Sequence, residues 1–127
     1  MKNLFLSIVI VFTALAATAQ DAAQLHQTAR EFMRQGDYAN AILVLNRAVK
    51  LDEKNIEIAK DLGLNYYFAK EYNKALEIYK PILDRPDADA QCFQIAGDIY
   101  LASDNPKECE KVYRRGLKQF PNSGPSY

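Results

Sequence analysis

Tryptophan is absent from the 127 residues, glycine and proline occur five times each, cysteine twice and histidine once. So few turn formers fit a helical protein better than a turn-rich all-β one. Neither sign of charge is in excess, since 16 Lys and Arg balance 16 Asp and Glu. That balance removes any bulk electrostatic attraction to nucleic acid or to an anionic membrane. The lone histidine, His26, is far in sequence from both cysteines. Metal binding needs three or four converging ligands, and no His/Cys/Asp cluster has suitable spacing. No glycine-rich phosphate loop occurs. These absences point to no enzyme, no metal site and no cofactor. What is present, 49% hydrophobic and 25% charged residues, is the composition of one small globular domain.

The first nineteen residues stand apart. Lys2 supplies a positive charge, Leu4 to Ala17 is apolar except for Ser7 and Thr13, and Ala17-Thr18-Ala19 places small residues where a signal peptidase reads them. The run is shorter than the ~20 apolar residues of a spanning helix. Residues 1–19 therefore read as a cleavable signal peptide, with Gln20 or a neighbour as the new N-terminus. The expected location is the periplasm, the outer surface or the secreted space, with no stable membrane insertion after cleavage.

The remainder repeats. Gly63-x-x-Tyr66 returns 34 residues later as Gly97-x-x-Tyr100, and 34 residues earlier as Ala29 and Phe32. Ala41, Ala75 and Cys109 form a second small column, Leu45, Tyr79 and Tyr113 a bulky one, and Val49, Leu83 and Leu117 another. Three copies, 22–55, 56–89 and 90–123, align without insertion. Within a copy, apolar residues recur at spacings of three and four, the helical period. Six helices are predicted near 22–35, 38–51, 56–69, 72–84, 90–102 and 105–119. The small columns let two antiparallel helices approach closely, with Gly63 and Ala75 leaving room for facing bulk. Pro81 falls inside the second helix of the middle copy, which predicts a kink or an early end there.

This pattern resembles the tetratricopeptide repeat, over nearly all of the chain after residue 19. The resemblance implies an all-α fold, a right-handed superhelical stack of three helix-turn-helix hairpins. Two departures stand out: the bulky column Leu25, Ala59, Phe93 is underfilled in the middle copy, and the closing proline is in register only at Pro121.

The resemblance also implies a concave groove lined by the first helix of each repeat, taking a peptide or a partner helix. The residues at those positions are His26, Arg30, Met33 and Arg34, then Lys60, Leu64 and Tyr67, then Gln91, Gln94, Asp98 and Leu101. A basic start, an apolar-aromatic centre and a polar end would suit a segment with an acidic end and an apolar anchor. Arg30, Arg34, Lys60, Leu64, Tyr67, Asp98 and Leu101 are the candidate partner-binding residues. Relatives that clamp the carboxylate tail of heat-shock chaperones use Lys, Asn and Arg where this chain has His26, Arg30, Asp61, Gln91 and Ile95. Asp61 would repel such a tail and Ile95 cannot pair with it. The implied function is a non-catalytic protein-interaction module or scaffold. The alternative is a non-catalytic arm of a larger exported enzyme or envelope assembly machine.

Cys92 lies about 12 residues before the turn of the third hairpin and Cys109 about 5 after it, so their levels differ by roughly 10 Å at ~1.5 Å per residue. A disulfide needs Cα atoms within ~7 Å, and two free thiols are expected. Residues 124–127 read as the start of a fourth repeat. Val112, Tyr113, Leu117 and Phe120 on the last helix would then be left open to a partner or to self-association.

Overall fold

The computed structural model describes residues 2–123, with side chains from Ala17 onward. Its described residues form six helices and no strand: α1 Lys2–Arg34, α2 Tyr38–Leu51, α3 Ile56–Phe68, α4 Tyr72–Ile82, α5 Ala90–Ala102 and α6 Pro106–Gln119. Consecutive helices pack as hairpins α1/α2, α3/α4 and α5/α6, and α2 against α3 and α4 against α5 join one hairpin to the next. The residues 124–127, read above as the start of a fourth repeat, lie outside the described part. Among the described residues no helix is long and apolar enough to cross a membrane.

Five of the six helices start within a residue of their expected place. The exception is α1, expected from residue 22 and continuous from Lys2. No glycine or proline occurs between Lys2 and Gln35 to interrupt it. Helix α4 ends at Ile82, two residues early, directly after Pro81. The proline has no N–H to continue the ladder, and the chain leaves through turn bonds from Asp84 N–H to the Pro81 carbonyl and Arg85 N–H to the Ile82 carbonyl.

Each hairpin turns in the same way. Asp37 N–H bonds the Phe32 carbonyl, Glu71 N–H that of Tyr66 and Asn105 N–H that of Tyr100, at 2.9, 2.8 and 2.9 Å. The residue before each donor is left-handed, Gly36 at φ 72°, Lys70 at 62° and Asp104 at 57°. This is the Schellman closure of a helix C-terminus, and only the first repeat uses the residue that adopts it without strain. The next residue starts the second helix. Asp37 and Asn105 cap α2 and α6 by accepting from Asn40 and Glu108 N–H at 3.2 and 3.4 Å, whereas Glu71 makes no side-chain cap.

In the second and third hairpins the two helices touch at glycine. A Cβ at Gly63 would lie 2.5 Å from the Tyr79 ring and 3.2 Å from Ile78 Cγ2; one at Gly97 would overlap the Tyr113 ring, and one at Gly116 would stand 2.7 Å from Phe93 Cβ. Tyr79 is fully buried and its hydroxyl donates to the Lys60 carbonyl at 3.0 Å. Phe93, Ala96, Ile99, Cys92 and Ala75 are buried with it, and a second cluster of Ala22, Ala29, Leu45, Ala48, Ile58 and Leu62 fills the junction of the first two repeats. Among the aromatic residues of the repeating columns, Tyr79 and Tyr100 are buried, while Phe32, Tyr66 and Tyr113 are half-buried. Tyr66 accepts from Asn46 Nδ2 at 3.2 Å and Tyr113 donates to Asp98. Both cysteines are free and buried. Burial pushes the Cys92 thiol up to about 11, so it stays protonated and unreactive at neutral pH.

Ion pairs join successive repeats. Asp61 on α3 receives His26 Nε2 at 2.6 Å and Arg30 Nε at 2.9 Å, both from α1. Lys60 reaches Asp89, which precedes α5, at 3.0 Å and Glu57 at 3.2 Å. On the linkers, Arg85 donates to the Lys54 carbonyl at 2.7 Å, and Arg115 to the Leu83 carbonyl at 2.9 Å and Asp84 at 2.8 Å. Burial alone would lower the Lys60 pKa, but its hydrogen bonds to Asp89 and Glu57 outweigh that and hold it above the ordinary value. Asp89 is likewise carried against burial to below the carboxylate range by Lys60 and Cys92.

The last helix is less open than its sequence implies. Val112 is buried, Tyr113 and Phe120 are half-buried, the latter against Phe93 at 5.9 Å, and Leu117 alone of the four is exposed, at 52%. The surface of the same helix carries the pairs Glu108–Lys111 and Glu110–Arg114.

Two outcomes are expected. Gly63→Leu overfills the contact with Tyr79 and lowers stability by about 1–3 kcal/mol or more, read by a denaturant melt; an unchanged melt contradicts that close approach. Lys60→Met keeps the aliphatic stem and removes the pair between α3 and Asp89, costing about 1–2 kcal/mol at neutral pH. Because the folded Asp89 pKa is depressed, its contribution is full above its unfolded value and is lost as pH falls through the folded one. The variant should therefore lose less stability than the parent on acidification, and parallel pH–stability curves would contradict the pairing.

Candidate functional site

The first helices α1, α3 and α5 run side by side, tied by the Asp61 and Lys60 pairs. Their candidate residues fall in 34-residue columns: His26, Lys60 and Gln94; Arg30, Leu64 and Asp98; Met33, Tyr67 and Leu101; Arg34, Phe68 and Ala102. The first two columns hold most of the charge, and most of that charge is engaged within the molecule.

Lys60, one of the candidate partner-binding residues, has a side chain only 10% exposed and held by Glu57 and Asp89. The reason is register: Asp89 sits just ahead of α5, where a lysine at the matching height of α3 reaches it. Arg30 and His26 both turn onto Asp61, so the basic start of the groove is largely neutralised by an acid inside it. Asp98 accepts from the Tyr113 hydroxyl, whose pKa is raised mainly by burial and then by that carboxylate. Arg34 remains outermost and pairs with Glu31 on its own helix. Gln91 and Gln94 are exposed.

Apart from Arg34, the last two columns are apolar and partly open. Leu101 is 59% exposed and Phe68 45% exposed, with Ala102 exposed beside them and Met33, Leu64 and Tyr67 half-buried. Tyr67 packs between Phe68 and Tyr72, at 5.6 and 6.0 Å between ring centres, and Phe68 leans on Tyr38 at 5.1 Å. These edge contacts fix the rings in place. An apolar strip thus crosses the turn end of all three first helices. Beside it lies a shallow depression of about 430 Å³ lined by Lys70, Glu71, Tyr72, Asn73, Lys74 and Ser103.

Phe68 was missing from the candidate set, although its column with Arg34 and Ala102 was readable. Asn65 was also unforeseen. It is fully buried, its amide donates to the Asp61 carbonyl at 2.7 Å, and its Oδ1 has no hydrogen-bond partner among the described residues. The matching residue of the next repeat is the buried Ile99, so the position is internal and the polar residue type concealed it. Among the described residues no three His, Cys, Asp or Glu side chains come together to hold a metal ion.

This geometry can be set beside known proteins. A family model described as "Anaphase-promoting complex, cyclosome, subunit 3" matches residues 35–116. The chain is 27% identical over 121 residues to BBSome complex member BBS4 of Mus musculus, covering 95% of this chain and 23% of that protein. It is 27% identical over 96 residues to the photosystem I assembly protein Ycf3 of Synechococcus sp. (strain CC9311), covering 73% and 56%. It therefore spans under a quarter of the first relative and just over half of the second. In fold it is similar to the first TPR of Spaghetti (RPAP3) bound to HSP90 peptide SRMEEVD, with TM-score 0.74, 21% identity and 83% of each chain covered. It is similar also to the N-terminal domain of stress-induced protein-1 (STI-1) from C. elegans, with TM-score 0.75, 18% identity, and 84% of this chain and 90% of that one covered. The family model covers well over half of the chain, and the three-hairpin stack agrees with it: the protein belongs to the Anaphase-promoting complex, cyclosome, subunit 3 family of tetratricopeptide-type repeats.

Proposed function

We propose that the stack is an exported, non-catalytic interaction module that holds a segment of another protein across its first helices. The observation that carries this reading is the apolar strip, with Leu101 59% exposed in register with Tyr67 and Met33, and Phe68 45% exposed beside them. Open apolar side chains on rigid helices are what a binding surface offers, and aromatic anchors carry a large share of such binding energy. Export is supported by Lys2, the apolar run to Ala17 and the small residues Ala17-Thr18-Ala19.

The geometry revises the kind of segment. Since Arg30, His26 and Lys60 already face acids of this chain, an acidic end on the partner would have to compete with Asp61 and Asp89. One of the similar solved domains is bound to a peptide ending in Val-Asp. Here Asp61 and Ile95 stand where the clamping residues of such relatives would be, so a carboxylate tail is disfavoured. The partner segment is instead one that brings apolar side chains at a spacing of about 10 Å, the distance between packed helices.

A second reading takes the stack as a non-catalytic arm of a larger exported enzyme or assembly machine. It is favoured by the small share, 23% and 20%, that the chain covers of its BBS4 relatives. The mass of the native protein in the envelope fraction separates the two readings.

Capture of partners from that fraction tests the proposal. Phe68→Ser and Leu101→Ser should each lower recovery of a specific partner by roughly tenfold or more, while Arg34→Glu leaves it nearly unchanged. Equal recovery by all variants would overturn the apolar strip as the binding surface.

A further inference from the structure

Three residues stand at the same register of the repeat, spaced by 34: Asp21, Asn55 and Asp89, the last two just ahead of α3 and α5. Two of them do the same work. Asn55 Oδ1 accepts from the backbone N–H of Glu57 at 3.1 Å and of Ile58 at 3.4 Å, capping α3. Asp89 Oδ1 accepts from the N–H of Cys92 at 3.1 Å, capping α5. Asp21 has the same residue chemistry at the same place, yet it lies inside α1, Lys2–Arg34. In a helix interior the following N–H groups are already bonded to carbonyls one turn back, so a cap there has nothing to receive. Gln24 follows three residues later, completing the Asp-x-x-Gln pattern of a capping box.

The burial pattern marks the same junction. Residues 17–21 are all exposed, and burial begins at Ala22, which is fully enclosed. The helix can therefore unwind across 17–21 without uncovering a core side chain. An endoprotease needs such local unwinding to bind the chain in extended form.

We propose that the Ala19–Gln20 peptide bond is a processing site, and that cutting it turns Asp21 into the N-cap of a shortened first helix. Water is the co-reactant: the amide bond breaks, Ala19 gains a carboxylate and Gln20 an ammonium group. Gln20 then lies outside the helix, Asp21 accepts from the N–H groups freed on Ala23 or Gln24, and the first repeat matches the other two. The proposal rests on the export reading but adds to it a structural consequence that can be measured separately.

The test uses the whole chain, as parent, Asp21→Ala and Asp21→Asn. The exported product is first sequenced from its N-terminus, and the expected start is Gln20. Unfolding of the processed product and of the unprocessed chain is then measured in the same mild detergent. In the processed form Asp21→Ala should raise the unfolding equilibrium constant by about fivefold, and Asp21→Asn should restore it. In the unprocessed form Asp21→Ala should change nothing or stabilise slightly, since alanine is the better helix residue. An N-terminus at Met1 overturns the proposal together with the export reading. A start at Gln20 with Asp21→Ala equal in both forms overturns the cap and leaves export standing.

Discussion

The structure depends on a contact that allows no side chain. At Gly63 the backbone of α3 lies against the Tyr79 ring, and at Gly97 the backbone of α5 lies against Tyr113. This closeness brings the Tyr79 hydroxyl to the Lys60 carbonyl at 3.0 Å. It also sets the height at which Lys60 meets Asp89. The tyrosine is large because the facing residue is glycine, and the 34-residue period carries the pair from one hairpin to the next. Interiors packed at this density transmit small displacements, so a shift in one hairpin moves the ion pairs that join it to its neighbours.

Those ion pairs decide what the binding face can offer. A helical stack with scattered Arg and Lys on its first helices looks, residue by residue, like a cationic groove. Asp61 and Asp89 alter that, Asp61 engaging His26 and Arg30 of the preceding repeat and Asp89, just ahead of α5, holding Lys60 of α3. What stays open is the strip through Met33, Tyr67, Phe68 and Leu101, braced by Tyr38 and Tyr72. On the proposed reading, stability between repeats and recognition draw on different residues. The charged columns join the hairpins, and the apolar columns are free to bind.

Much of this was legible from the sequence because repeats supply their own controls. The helix starts at 38, 56, 72 and 90 follow from turn residues and caps that recur every 34 residues. Gly63 could be read as a close approach because Gly97 and Tyr79 confirm the columns. Two kinds of feature were hidden. The continuation of α1 upstream of residue 22 was not read because the first copy was counted from 22, while nothing between Lys2 and Gln35 breaks a helix. The engagement of Lys60 and Arg30 was hidden because their acids lie 29 and 31 residues away. Helical periodicity shows which face a residue takes, and it does not show what the neighbouring repeat places opposite. Asn65 illustrates the same limit, being a polar residue type at a buried position.

The central claim is that the charges of the binding face are engaged within the stack and that apolar contact holds the partner. The salt dependence of partner affinity tests it most directly. Contacts between exposed charges weaken as the Debye length shrinks, from ~10 Å at 0.1 M to ~3 Å at 1 M ionic strength, while apolar burial does not. The account predicts an affinity that stays level or rises slightly as sodium chloride is increased over that range. An affinity that falls steeply with salt would mean that Arg30, Arg34 or Lys60 leaves its acid to hold the partner, and would contradict it.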